Sequence, residues 1–163
     1  MSQSFNSIKL RLILTISICI LAIVFIVELG LGAEPCILCK YQRIPYFSVI
    51  FFAGLALHIK TVDRLGVVRL IGIIFFISGI LALYHHGIEQ HWWNTTIGCG
   101  ASDKLPKSFE NFQSQLMVKL PKRCDEVDWT FFSLSLTVYN MIASFILAVL
   151  SYSTINLRIK YKR

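Results

Sequence analysis

The sequence predicts an all-α integral membrane fold: a four-transmembrane-helix bundle with two outward-facing, cysteine-bearing loops. Three observations lead there. Of the 163 residues, 55% are AVILMFWYC and only 15% are charged, with a mean hydropathy of +0.64. A soluble domain carries about 25% charged residues, so the shortfall excludes a cytosolic enzyme domain, a disordered tail and a secreted disulfide miniprotein. The apolar residues are gathered into long runs, and the charges sit in short clusters between them. Finally, four of the five cysteines fall between the runs, two in each of two connecting segments. The net charge of +7 would suit nucleic acid, but clusters placed between apolar runs do not form a basic face, and no nucleic-acid partner is expected.

A helix crossing a hydrocarbon core of about 30 Å needs about 20 mostly apolar residues, with a range of about 17–25. The first predicted span covers about 12–29, with Glu28 at its far end. The second, shorter, covers 44–59. The third covers 66–85 and carries Arg69 in its first turn, where a long side chain snorkels outward. The fourth covers about 129–152. A single membrane domain of 163 residues results. Lys9 and Arg11, the 60–69 connection and Arg158, Lys160, Lys162 and Arg163 together hold nine basic residues against one acid, Asp63. The other side holds seven basic residues and eight acids. Basic residues mark the cytoplasmic face, so both termini are expected there, with about 30–43 and 86–128 outside. A cleaved signal peptide ending near Gly30-Leu31-Gly32-Ala33 is the rival; its apolar run of sixteen residues, Leu12 to Val27, is long for an h-region of about 7–15.

No internal repeat or low-complexity segment is seen. Within the second outer loop, Pro106 and Pro121 bracket a stretch in which Phe109, Phe112, Leu116, Met117 and Leu120 share one helical face. Ser108 is placed to cap it and Glu110 suits its first turn. It reads equally as a helix lying on the membrane surface or as a loop helix packed on the bundle.

The chemistry is carried by cysteines. Cys19, mid-span, reads as a small hydrophobe. Cys36, Cys39, Cys99 and Cys124 lie on the outer side, which in bacteria is oxidising, and four cysteines allow three pairings. Cys36-Ile37-Leu38-Cys39 is a C-x-x-C, a spacing typical of redox-active pairs. It directly precedes the second span, where free helix N–H groups and Arg43 can stabilise a thiolate at Cys39. Pro45 is expected to bias Arg43 away from the α conformation, which would separate Cys39 and Arg43 onto different faces. The other readings are a static staple and a four-cysteine zinc site. The latter is disfavoured because Cys99 and Cys124 lack the close spacing of a ribbon's second half, and no metal is expected.

Cys99 is flanked by Gly98 and Gly100, and Cys124 by Arg123 and Asp125. A bridge between them would close a mobile loop, the kind that tends to be labile or catalytic. Two loop disulfides, one mobile and one beside the bilayer, suggest an electron relay. No charge lies deep in a span, which argues against an ion pump. His58, His85, His86 and His91 read as interfacial rather than as haem ligands. A lipid-soluble quinone needs only an apolar cleft and one or two polar groups, for which His86 and Arg43 are the candidates. Trp92, Trp93 and Trp129 read as interfacial belt residues.

Four spans, the run Cys36-Ile37-Leu38-Cys39-Lys40-Tyr41-Gln42-Arg43, the Cys99/Cys124 pair, and Cys124-Asp125-Glu126 followed by Trp129, Ser133-Leu134-Ser135-Leu136 and Asn140 resemble the DsbB family of bacterial inner-membrane disulfide-bond-formation proteins. The resemblance covers nearly the whole chain. It implies that the partner is a reduced periplasmic thioredoxin-fold oxidase of the DsbA type, at about −120 mV, and that the final acceptor is a quinone, ubiquinone or menaquinone. It further implies that Cys99 is attacked by the partner, that Cys124 is released to pass electrons to the Cys36–Cys39 bridge, and that Cys39 then reduces the quinone with Arg43 beside it. His86 falls where the family has a histidine near the quinone. One departure is Phe132, where the family often has Gly. Two further readings are a reductase of the vitamin K epoxide type, whose loop cysteines precede its C-x-x-C rather than follow it, and a non-catalytic tetraspan with structural loop disulfides.

Overall fold

A computed structural model describes residues 2–32, 34–59, 61–93, 122–127 and 130–161. Its elements are α1 (Ser2–Gly30), α2 (Ile37–Tyr41), α3 (Ile44–His58), α4 (Arg64–Glu89), a two-stranded ribbon of β1 (Thr130–Phe131) and β2 (Leu134–Ser135), and α5 (Leu136–Tyr161). Helices α4 and α5 share the largest interface, with α3 packed between α1 and α4. The C-terminal ends of α1 and α4 and the N-terminal ends of α3 and α5 gather at one end of the bundle, and α2 lies there.

Among the described residues, three helices are long and apolar enough to cross a membrane: Asn6–Gly30, Arg64–Glu89 and Leu136–Ser153. Helix α3, although apolar throughout, has 15 residues and falls short of the usual minimum of about 17. The bundle is apolar outside, and its polar side chains are set into an otherwise apolar interior. Ile23, Ile26, Leu29, Phe51, Phe76, Ile77 and Val149 are exposed, whereas Ser17, Ser78, His85, Thr137, Ser144 and Ser151 are buried. Contiguous apolar surface on this scale is a liability in water and natural in lipid.

The core is built from Leu10, Ile13 and Leu21 of α1, Val49, Ala53 and Ala56 of α3, Val68, Ile71 and Phe75 of α4 and Leu147 and Ala148 of α5. Small residues set the α4–α5 spacing, as expected where lipid removes the hydrophobic drive for helix association. A Cβ on Gly79 would lie 2.9 Å from the Phe145 ring, and one on Gly72 would lie 3.2 Å from Ser151 and Tyr152.

Local chemistry fixes the helix ends. Asp63 caps α4, its carboxylate accepting from the N–H groups of Leu65 and Gly66 at 3.1 and 3.0 Å. At the other end His91 is left-handed (φ 56°). There the Trp92 N–H donates to the Gly87 carbonyl at 2.9 Å and the His91 N–H to the Ile88 carbonyl at 3.0 Å. This is a Schellman stop with histidine where glycine is usual. A Cβ on Gly87 would fall inside the Trp93 ring, which stacks on Tyr84 at 5.7 Å. Helix α4 thus runs past 85, the end expected from the apolar run, and takes His86 and Glu89 into its last turn.

Two local expectations are corrected. The last helix begins at Leu136 rather than near 129, because Phe132 (φ 47°) and Ser133 (φ 62°) are both left-handed. They make a two-residue hairpin turn, pairing Thr130 with Ser135 and Phe131 with Leu134. The apolar composition of the segment hid the turn. Arg43 is right-handed helical, at φ −81° and ψ −27°: the restriction from Pro45 falls on Ile44, its immediate neighbour. Pro45 itself sits in the first turn of α3, where its missing N–H costs nothing.

Phe132 is 82% exposed and pays the steric cost of a left-handed backbone, about 1–2 kcal/mol. Phe132→Gly is therefore expected to raise the thermal unfolding temperature in detergent by a few degrees. An unchanged or lower midpoint would count against strain at this turn.

Candidate functional site

The C-x-x-C is held on a short helix that its own first cysteine starts. Cys36 has an extended backbone (φ −67°, ψ 173°), and its sulfur accepts the Cys39 N–H at 3.3 Å, capping α2. Cys36 and Cys39 are free thiols with sulfurs 3.1 Å apart, the Cys36 S–H donating to Cys39. That bond separates their acidities. The Cys36 thiol is pushed up to about 12, first by the hydrogen bond it gives Cys39 and then by burial. Cys39 lies below the ordinary thiol value, first because it receives that bond; burial and the neighbouring Glu89 and Cys124 oppose the shift.

Beneath α2 lies the last part of α4. Cys36, Leu38, Ile88 and Cys124 are buried together, flanked by Cys39, Leu81 and Tyr84. Cys124 arrives on the 122–127 segment and is 1% exposed. Its two neighbours are tied over it: Arg123 donates to both carboxylate oxygens of Asp125, at 2.9 and 2.6 Å. The same contact holds the Asp125 carboxyl below its usual range. Cys36, Cys124 and His85, far apart in sequence, bring their sulfur and nitrogen atoms within 4.8 Å of one another.

His85 heads a buried polar chain. Its Nε2 is 3.5 Å from the Cys36 sulfur. Its Nδ1 is 3.0 Å from Gln42 Nε2 and 3.4 Å from Thr137 Oγ1. Gln42 Oε1 accepts from Asn140 Nδ2 at 2.8 Å, and Asn140 Oδ1 accepts from the Tyr46 hydroxyl at 2.7 Å. Ser144 and Ser78 continue the contacts at 3.4 and 3.2 Å. A second branch leads to Glu89, which accepts from Thr137 at 2.6 Å and Ser135 at 2.7 Å and pairs with His86 at 3.3 Å.

The residues singled out from sequence are thus only partly brought together. Cys36, Cys39 and Cys124 converge. Cys99, the 107–120 stretch and Trp129 lie outside the described residues. Arg43 turns toward α1, where it donates to the Glu28 carboxylate and lies 5.1 Å over the Phe25 ring; its Nε is buried with no hydrogen-bond partner among the described residues. His86 faces Glu89 and the edge of Trp92, because successive helix residues point about 100° apart. It is His85 that meets the thiols. Cys19 is exposed on α1. Sequence reasoning assigned no role in the site to Gln42, Glu28, Glu89 or Thr137. The only signal for them was their polarity in or beside apolar runs, which in a membrane marks a function or a partner.

A bundle apolar on its outside, with a buried dithiol and a third cysteine delivered against it, defines a membrane-embedded thiol–disulfide oxidoreductase. The chain belongs to the DsbB family: the family model described as disulfide bond formation protein DsbB matches residues 7–154. Among curated relatives, disulfide bond formation protein B of Xylella fastidiosa (strain Temecula1) is 28% identical over 141 residues, covering 80% of this chain and 79% of its own. The namesake from Xanthomonas oryzae pv. oryzae is 30% identical over 135 residues, covering 76% and 74%. An uncharacterized protein of Rickettsia prowazekii is 27% identical over 139 residues, covering 84% and 80%. No solved structure matches the chain significantly.

The split acidity predicts how the reduced dithiol reacts. A thiol is alkylated as its thiolate, so Cys39 is expected to react along a curve with its midpoint below 9.0. Cys36 is expected to stay unreactive until the pH approaches about 12. Cys36→Ala removes the donor and moves the Cys39 midpoint upward. Peptide mass spectrometry after brief iodoacetamide pulses across pH reads both, and faster labelling of Cys36 at neutral pH would contradict the assignment.

Proposed function

We propose that this chain reoxidises a periplasmic thioredoxin-fold disulfide donor of the DsbA type and passes the electrons through two cysteine pairs to a membrane quinone. The observation that carries the reading is the approach of Cys124 to Cys36, within 4.8 Å, at the mouth of a buried C-x-x-C. Family membership supports the disulfide chemistry.

In this reading a partner thiolate attacks Cys99 of a Cys99–Cys124 disulfide, forming a mixed disulfide and releasing Cys124 as a thiolate. The partner's second thiolate then attacks its own sulfur in that mixed disulfide, leaving the partner oxidised and Cys99 as a thiolate. Cys124 attacks Cys36 of the oxidised C-x-x-C, so that a Cys124–Cys36 bond forms and the Cys36–Cys39 bond breaks. Cys39 leaves with the electron pair, and the Cys99 thiolate attacks Cys124, restoring the Cys99–Cys124 bond and releasing Cys36, so that the two electrons rest on the Cys36 and Cys39 thiolates until their own bond re-forms. The lower-pKa sulfur leaves faster, which favours Cys39 over Cys36 in that role. A quinone supplies a two-electron, two-proton sink. The orphan Nε of Arg43 is a donor suited to a quinone oxygen, since a buried N–H without an acceptor carries a desolvation cost of about 1–3 kcal/mol. Phe25 beside it offers apolar surface, and His86 is the second polar group assigned to the acceptor.

We further infer four spans with both termini cytoplasmic and an inner-membrane location. Helix α3 rises about 22 Å at 1.5 Å per residue, and it packs against both α1 and α4. Helix α2 extends it at the end where α1 and α4 terminate. The basic residues concentrated at the opposite end and at the termini support the orientation.

The test uses detergent-purified protein, an excess of reduced DsbA-type partner and soluble ubiquinone or menaquinone analogues, following quinone absorbance. Turnover is expected, and Cys39→Ser is expected to lose it by at least about a hundredfold while still forming the partner adduct. Cys124→Ser should accumulate a mixed disulfide at Cys99. Full turnover by Cys39→Ser, or trapping of the partner on Cys36, would overturn the relay.

A further inference from the structure

We propose that the fully reduced protein binds one thiophilic divalent cation of the Zn²⁺ type through Cys36, Cys124 and His85, with Cys39 as the fourth ligand. The proposal goes beyond the redox reading and does not rest on it.

Three of the four ligands already stand close enough to share one ion. Zinc bonds of about 2.3 Å to sulfur and about 2.0–2.1 Å to imidazole nitrogen set ligand edges of about 3.5 Å for S···N and about 3.8 Å for S···S. The Cys36 sulfur and His85 Nε2 already stand 3.5 Å apart. The Cys124 sulfur lies within 4.8 Å of both, and all three side chains are buried. The Cys39 sulfur is 3.1 Å from Cys36 but stands outside the cluster of three, so a rotation about its χ1 must open the Cys36 contact by about 0.7 Å and swing the sulfur toward the other two ligands. Three thiolates and one imidazole make a Cys₃His set, which belongs to closed zinc sites. Rejecting a site built from four cysteines overlooked the histidine, which comes from a different element 49 residues from Cys36.

The surroundings of His85 suit a ligand. A metal-bound imidazole is normally oriented through its other nitrogen. Here Nδ1 faces Thr137 Oγ1, whose own proton goes to the Glu89 carboxylate. With Nε2 on the metal, Nδ1–H donates along this branch, and the Gln42 and Asn140 amides turn over to present an oxygen to the ring.

Binding exchanges protons for metal without a change of oxidation state. Three thiols lose three protons to solvent, the imidazole binds neutral, and four bonds to zinc form. A disulfide offers no thiolate, so the site exists only in reduced protein. Occupancy withdraws Cys36 and Cys124 from exchange. The cation therefore acts as a lock on the reduced state, set when thiols accumulate and released by a competing chelator.

The test is an anaerobic Co²⁺ titration of full-length wild-type protein in detergent, reduced or oxidised, followed by displacement with Zn²⁺. The reduced form is expected to bind one Co²⁺ per chain with thiolate-to-cobalt charge-transfer absorption, and the oxidised form none. Cys124→Ser and His85→Ala should each weaken binding by at least about tenfold, whereas Cys19→Ser should bind as wild type. X-ray absorption of the zinc-loaded wild type should give three sulfurs and one nitrogen. Equal binding by both redox forms, wild-type affinity in both Cys124→Ser and His85→Ala, or a two-sulfur shell from the C-x-x-C alone would overturn the site. No step uses quinone or partner, so the outcome is independent of turnover.

Discussion

A polar side chain inside an apolar bundle has no water to fall back on, and the whole dithiol end of this molecule is organised by that constraint. His85, Gln42, Asn140, Tyr46 and Ser144 satisfy one another in sequence, and they come from four parts of the chain: α4, the α2–α3 junction, α5 (Asn140 and Ser144) and α3. An unpaired group here would cost about 1–3 kcal/mol, so the chain specifies one mutual placement of four elements. Apolar packing alone would not. Ile, Leu and Phe faces in lipid slide and rotate at little cost, and the small residues at Gly72 and Gly79 set a distance rather than a register. The hydrogen-bonded seam supplies the register, and it ends on the Cys36 sulfur.

Electrostatics at the same end are local rather than global. The net charge of +7 has little to do with the site, whose charged groups are matched pairwise. Arg43 meets Glu28, Glu89 meets His86 and two hydroxyls, and Arg123 meets Asp125. The Arg123–Asp125 pair is exposed and of small energetic worth. Its effect is geometric, since it spans Cys124 and turns that side chain inward. The Arg43–Glu28 pair ties the end of α1 to the start of α3 and leaves one guanidinium N–H in search of an acceptor.

Much of this was legible in the residues. Apolar run length gave the helices, and the cysteine spacing gave the dithiol, because both depend on short-range pattern. What stayed hidden depended on angle or on tertiary contact. The expectation for His86 rests on the family resemblance, but a single residue step on a helix changes the face, and only the assembled bundle shows that His85 is the one turned to the thiols. The hairpin at 130–135 was masked because Phe131, Phe132 and Leu134 look like the start of a span, while the left-handed turn carries no glycine to announce it. Gln42 was visible within the motif that carried the resemblance, yet nothing local reveals that its amide bridges α4 and α5.

The capping role of Cys36 has a mechanical consequence. The atom that begins α2 is also an atom whose bonding partner can change. As a thiol it accepts from the Cys39 N–H and donates to the Cys39 sulfur; once it forms a disulfide it has no proton to give. Gln42 closes the same short helix, its backbone N–H bonded to the Leu38 carbonyl at 3.0 Å, and its side chain holds His85. Five residues thus join the oxidation state of one sulfur to the orientation of an imidazole and, through Asn140, to the first turns of α5. The sulfur that starts α2, the imidazole on α4 and the start of α5 therefore lie on one hydrogen-bonded path.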